Sequence, residues 1–261
     1  MTKLTADQHA ILGRAAQAGL PYALWRPPEA ETFTLLVSTS VPYQAPVFAE
    51  ATPAAFVMAA FDAADGNQAW HLPADLLVTA SGCRFRAETG YVDDPASAAQ
   101  AALLDGAAPG PVQAADSDLH PPEPTPRPLY EARVAQAVAA IRAGQAEKIV
   151  LSRVEPRALA PDHDLRNLVQ ALAAARAQAF VSLVSLPQAG TWLTATPEVL
   201  LRSDASGVFT MALAGTQWPD PQVDPATLSW PRKIIDEQAI VASEIRSAFA
   251  QAGLTGVSET P

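Results

Sequence analysis

Four short stretches carry the residues with which this chain could do acid–base or metal chemistry: Lys148 in KIVLSR, Glu198 in TATPEVLLR, Ala214-Gly215-Thr216 in MALAGT, and Glu237 in KIIDEQAIVASEI. Lys148 opens a run whose Val150 and Leu151 favour a strand. Alternation would set Lys148, Val150 and Ser152 on one face and Ile149, Leu151 and Arg153 on the other. Two readings fit a lysine there. Its ammonium snorkels from a strand end to water, or it is partly desolvated, loses its proton and serves as a base. Glu198 stands between Pro197 and the apolar Val199, Leu200 and Leu201. It is either an exposed residue at a strand start or an acid whose pKa is raised by apolar neighbours, able to donate a proton at neutral pH. In Ala214-Gly215-Thr216 the glycine lets backbone approach a ligand closely and the threonine offers a hydroxyl, although such a tripeptide also serves ordinary turns. Glu237 and Glu244, seven residues apart with Val241 between them, share nearly one helix face. They form a solvated flank, with Lys233 pairing to Glu237 at i,i+4, or they supply a hard-cation ligand. Mg²⁺ takes one or two carboxylates and completes its octahedron with water and an anionic substrate.

The elements that must position these residues are legible in the apolar periodicity. Residues 130–143 predict a helix, because Val134, Val138 and Ile141 recur at helical spacing and Gly144 stops it, delivering the chain into KIVLSR. A helix over 165–178, capped by Asp162 or Asp164, precedes a hairpin of strands 180–186 and 191–194. A strand over 209–213 enters Ala214-Gly215-Thr216. The last helix, 232–250, carries Ile234, Ile235, Val241, Ile245 and Phe249 as an apolar stripe. Towards the N-terminus a helix over 7–19 ends at Gly19. Strands are expected at 22–25, 33–37 and 76–79, with a buried strand at 56–61 and a turn at Asp65-Gly66-Asn67. From Pro95 to Pro128 the composition turns to Ala, Pro, Gly and acidic residues, which predicts a flexible linker or long loop. The expected division is 1–94, a linker at 95–128, and a motif-dense part at 129–261.

Composition excludes several classes. A net charge of −10 and the lack of any Lys/Arg-rich block argue against nucleic-acid binding. Cys83 is the sole cysteine, so an intramolecular disulfide or a cysteine-based zinc site is impossible. No run approaches the ~20 apolar residues of a membrane span and the N-terminus lacks a signal-peptide apolar region, so the protein reads as cytosolic. There is no internal repeat and no glycine-rich phosphate loop. His71, beside Trp70, fits a structural or a catalytic role. His120 falls in the linker, and His163 in a helix-capping turn suits a surface position.

The order and content of these segments resemble the chorismate-binding enzyme family, most closely its isochorismate synthases. The matching pieces are the helix running into KIVLSR, then TATPEVLLR, MALAGT and KIIDEQAIVASEI, with PYALWRP a looser match in the N-terminal half. The resemblance implies chorismate as substrate and Mg²⁺ as cofactor. It implies a fold of the α+β class, with antiparallel sheets, helices packed outside and the active site in the cleft between. Members that carry lysine at the position of Lys148 activate water, whereas anthranilate synthases carry glutamine there and use ammonia. Aminodeoxychorismate synthases carry lysine where this chain has Ala214, so a covalent lysine intermediate is not expected. Carried over, Lys148 is the base that deprotonates water for attack at C2, and Glu198 the acid that protonates the departing C4 hydroxyl. Gly215 and Thr216, with Ala214, contact the substrate carboxylate, and Glu237 is a Mg²⁺ ligand. Desolvation shifts a lysine down and a glutamate up, as the two roles require.

The resemblance also sets what is missing. Family members continue with a histidine-containing strand, an LHPTPAVGG-like loop, a substrate arginine and a second Mg²⁺ carboxylate. Residues 1–261 hold no equivalent. The chain is therefore expected to be a fragment or truncated form, with apolar faces left uncovered. It is either an isochorismate synthase or part of one, or a non-catalytic chain of the same fold acting as a binding or assembly component. Salicylate synthases share the same base and acid and add pyruvate elimination. Isochorismate itself feeds both menaquinone and catecholate siderophore synthesis.

Overall fold

The computed structural model describes residues 3–47, 53–61, 68–106, 109–115, 123–217, 222–224 and 227–260. In chain order these begin with helix α1 (Ala6–Gln17) and strands β1 (Tyr22–Arg26), β2 (Thr34–Val37), β3 (Tyr43–Pro46) and β4 (Ala55–Ala59). Strands β5 (Gln68–Pro73), β6 (Leu76–Thr79), β7 (Gly82–Ala87) and β8 (Gly90–Val92) follow, then helices α2 (Ala98–Ala101), α3 (Arg127–Arg142) and α4 (Leu165–Ala175). The chain continues with strands β9 (Phe180–Leu186), β10 (Gly190–Thr196), β11 (Arg202–Asp204) and β12 (Gly207–Phe209) and ends with helix α5 (Arg232–Gln251). Every strand pairing is antiparallel, and helices and sheets are both present, which makes the fold α+β. No helix among the described residues is long and apolar enough to cross a membrane.

The chain forms two compact units. One comprises Met1–His120 and Ala158–Pro197, the other Pro121–Arg157 and Glu198–Pro261. The division falls elsewhere than the sequence suggests: the α4–β9–β10 segment joins the N-terminal residues. The reason is β9, whose residues Val181 to Ser185 pair with β1 in register from Arg26 to Tyr22. A ladder formed at that separation leaves no mark in local composition.

The first unit is built on a seven-stranded sheet of order β10-β9-β1-β2-β6-β7-β8 and a three-stranded sheet of order β3-β5-β4. Alternation along β1 explains the layering. Tyr22 and Leu24 join Ile11, Leu12 and Ala15 of α1 and Leu165, Val169 and Ala173 of α4 in one core. Ala23 faces the other way into a second core with Leu36, Leu72, Val184 and Leu186, against which Trp70, Phe56 and Met58 of the smaller sheet pack. Each buried Leu, Val or Ile contributes about 1.5–3 kcal/mol, so these two cores dominate the unit's stability. α1 is tied in at its start. Thr5 Oγ1 accepts from the Gln8 amide, and the Gln8 side chain accepts from the Thr5 amide and donates to the carbonyls of Phe33 at 2.7 Å and Val78 at 3.1 Å. Gln8 is fully buried, and its satisfied amide holds the helix on the sheet. Asp164 is the cap of α4. Burial alone would raise its carboxyl, but hydrogen bonds and charge from Arg166 outweigh that and hold it below its ordinary value.

Several expected features take a different form. Part of the stretch expected as a flexible linker is packed: α2 lies in it, Leu103 and Val112 enter the helix-side core, and the buried Gln100 side chain donates to the carbonyls of Asp75 and Arg86. The strand expected at 56–61 exists as β4, an edge strand of the three-stranded sheet, and has no buried residue. His71 is structural, stacked on Tyr43 with ring centroids 5.2 Å apart and Nε2 3.1 Å from the Pro46 carbonyl. His163 is half-buried in the turn before α4, with Nδ1 on the Ala160 carbonyl. The Asp65-Gly66-Asn67 turn and His120 lie outside the described residues.

The second unit contains α3, the β11–β12 hairpin and α5. Among the described residues every buried apolar side chain belongs to the first unit, and neither α3 nor α5 buries a single residue. Val150 is 82% exposed and Leu200 90%. Uncovered apolar faces, expected from the sequence, are present here. The strand expected over KIVLSR is absent: residues 148–153 form no ladder. A strand needs a partner for its N–H and C=O groups, and β propensity alone does not provide one. The strand expected at 209–213 is likewise confined to Phe209, the last residue of β12.

Candidate functional site

Lys148, Glu198, Ala214 to Thr216 and Glu237 all lie in the second unit, and three of its segments place all of them but Glu198. α3 ends where Ala143 and Gly144 turn the chain. Gly144 takes φ +71°, donates its amide to the Ile141 carbonyl, and Gln145 donates to the Ala140 carbonyl. Only glycine adopts that left-handed conformation without penalty, so it sets the direction in which Lys148 leaves the helix. α5 begins after Pro231, and Glu237 lies in its second turn. The third segment is the extended run from Thr210 to Thr216. Thr210 anchors it by donating from its hydroxyl to the Leu200 carbonyl at 2.7 Å.

Lys148 and Glu237, far apart in sequence, are brought together. Lys148 Nζ is 3.4 Å from Glu237 Oε1, with side chains 25% and 30% exposed. Lys148 does not snorkel freely into water from a strand end: its side chain is partly covered and pairs with a carboxylate on α5. Glu237 does not form the expected i,i+4 pair with Lys233; the i,i+4 pair of this helix is Arg232 with Asp236. A partly exposed pair such as Lys148–Glu237 stabilises by about 1 kcal/mol or less. It orients two reactive groups more than it holds the fold.

The Ala214-Gly215-Thr216 loop lies along the same helix. A Cβ on Gly215 would come within 2.4 Å of Ile234 Cγ2 and 3.0 Å of the Ile234 carbonyl oxygen. The glycine is therefore required by close approach, as expected, but the surface it approaches is α5. The side chain of Gln238, one turn beyond Ile234, donates from Nε2 to the Ala212 carbonyl at 2.6 Å and accepts at Oε1 from the Ala214 amide at 3.0 Å. Ala214 thus spends its amide on the helix. Gln217 Nε2, one residue past Thr216, is buried without a hydrogen-bond partner. Gly215→Ala is expected to destabilise the protein by about 1–3 kcal/mol through this overpacking. A urea titration of the full chain reads the change, and an unchanged midpoint contradicts the close contact.

Glu198 stands two residues past β10, is exposed, and Glu244 is exposed on α5. Of the two acidic residues on that helix face, Glu237 is the half-buried one turned to Lys148. Gln238 and Ile234 hold this loop on α5, and the sequence reading passes over Gln238 and gives Ile234 only a place in the apolar stripe. A signal existed: an amide carries donor and acceptor on one planar group, so a glutamine beside Glu237 is suited to bridging a backbone loop.

Glu237 offers a hard oxygen donor. Among the described residues there is no cluster of three or more His, Cys, Asp or Glu side chains. One such carboxylate can serve Mg²⁺ only together with waters and the oxygens of an anionic substrate. A family model described as "Chorismate binding enzyme" matches residues 43–260. No curated protein and no solved structure matches the chain.

Proposed function

Because the chain belongs to the chorismate-binding enzyme family, we propose that it acts on chorismate as an isochorismate synthase, exchanging the C4 hydroxyl for a hydroxyl at C2 in a Mg²⁺-dependent isomerisation. The observation that carries this reading is an amine, Lys148, held 3.4 Å from the acidic residue suited to the metal. In this family a lysine at that position goes with water as nucleophile.

Each residue's task follows from its chemistry. Lys148 Nζ takes a proton from water as the oxygen bonds to C2. Glu198 gives a proton to the C4 oxygen as that bond breaks, and the ring double bonds shift between the two carbons. One water enters and one leaves, so the reaction is an isomerisation. Lys148 works as a base only when neutral and free of its carboxylate partner. Glu198 works as an acid only when protonated, which requires its exposed carboxyl to be covered from water when substrate is bound. Gly215 and Thr216 receive the ring carboxylate, and Glu237 would hold Mg²⁺. When bound, the metal supplies positive charge that neutralises the substrate carboxylate and orients it.

Incubating the full chain with chorismate and Mg²⁺ and separating the products by HPLC tests the proposal. Isochorismate is the expected product. Salicylate with pyruvate would assign it instead to the salicylate synthases, and chorismate binding without turnover would identify a non-catalytic chain of the same family.

A further inference from the structure

We infer that Gln238 is a positioning residue that locks the substrate-carboxylate loop to the helix bearing Glu237, an inference resting on the chorismate reading above. Its side-chain amide closes a two-point bridge, 2.6 Å to the Ala212 carbonyl and 3.0 Å to the Ala214 amide. The bridge spans Leu213, so it fixes the path of the backbone on both sides of one residue. A second contact fixes the next step: Gly215 packs where a Cβ would meet Ile234, which is four residues before Gln238 on the same face of α5. Three positions of the loop, 212, 214 and 215, are thereby set against two adjacent turns of one helix.

Glu237 is the neighbour of Gln238, and successive side chains leave a helix about 100° apart. Glu237 accordingly reaches Lys148 while Gln238 reaches the loop. The two residues make α5 a common ruler. The loop amides beyond Ala214 and the Glu237 carboxylate are held at a constant offset, as they must be if both act on one substrate carboxylate. Because the Ala214 amide is consumed by Gln238, recognition of that carboxylate falls to Gly215 and Thr216. Misplacement of such groups by about 1 Å costs up to 10²-fold in rate. A glutamine is required because carboxylate, ammonium and hydrocarbon side chains each lack the donor, the acceptor or both.

The test titrates the 261-residue chain, with Mg²⁺ present, with chorismate and with its ring-carboxylate methyl ester. Wild type is expected to prefer the acid. Gln238→Ala is expected to bind chorismate about tenfold more weakly with little change for the ester, so that discrimination between the two collapses. Gln238→Met fills the same space without hydrogen bonds and carries the test where the truncation unfolds. Retained discrimination in Gln238→Met, or equal loss for both ligands, overturns the positioning role while leaving the chorismate reading intact. A wild-type chain that binds neither ligand overturns that reading, and the role of Gln238 with it.

Discussion

Replacing Lys148 by glutamine is expected to lower isochorismate formation by roughly 10²–10⁴-fold, the contribution of a positioned general base. Glutamine is one atom shorter and still carries an N–H donor, but it cannot accept a proton from water. The substitution therefore removes the base while keeping a polar side chain. Stability should hardly move, because the Lys148–Glu237 pair is partly exposed and worth about 1 kcal/mol or less. Product formation by HPLC and a thermal melt on the same preparation separate the two effects. A rate near wild type assigns the base elsewhere; a lost rate with a collapsed melt says only that the fold was damaged. Glutamine also tests the nucleophile, since ammonia-using members of the family carry it at this position.

Glu237→Gln is expected to weaken Mg²⁺ binding in the presence of chorismate by 10-fold or more. The change keeps shape and oxygen but removes the negative charge that a hard cation requires. It also removes the partner of Lys148, so chorismate affinity without Mg²⁺ is expected to stay the same or rise as the freed ammonium turns to the anionic substrate. Calorimetric titrations of Mg²⁺ with and without chorismate read both effects. Equal Mg²⁺ affinity in wild type and variant assigns the metal to other oxygens. A loss of chorismate affinity that is independent of Mg²⁺ makes Glu237 a structural partner of Lys148 rather than a metal ligand.

How far the fold was legible depended on the range of the interactions. α1, α3, α4 and α5 follow from helical spacing with caps and stops at Gly19, Gly144 and Asp164, all of which act within a turn or two of chain. β9 and β10 form a tight hairpin and were equally plain. The errors lie where a long-range partner decides. KIVLSR has the propensity of a strand but no neighbouring strand, so it stays outside the sheets. The stretch around Gln100 and Val112 has the composition of a linker, yet a few residues find buried places against the first unit's core. Composition averages over a window, whereas burial is decided residue by residue.

Within the site the same distinction holds. Residue types are sufficient to mark an amine, a carboxylate and a glycine as candidates for chemistry, while leaving a structural reading of each open. Lysine rather than glutamine at position 148, and alanine rather than lysine at 214, are covalent facts, and the proposed choice of water as nucleophile rests on them without reference to shape. Tertiary structure alone decided that Lys148 meets Glu237, that Gly215 is small because Ile234 lies against it, and that Gln238 ties the loop to α5. Those contacts join segments distant along the chain, and no local periodicity encodes them. They arise only when the run after α3, the loop and α5 come together, because hydrogen bonds and close contacts depend on distances of a few ångströms that sequence spacing does not measure.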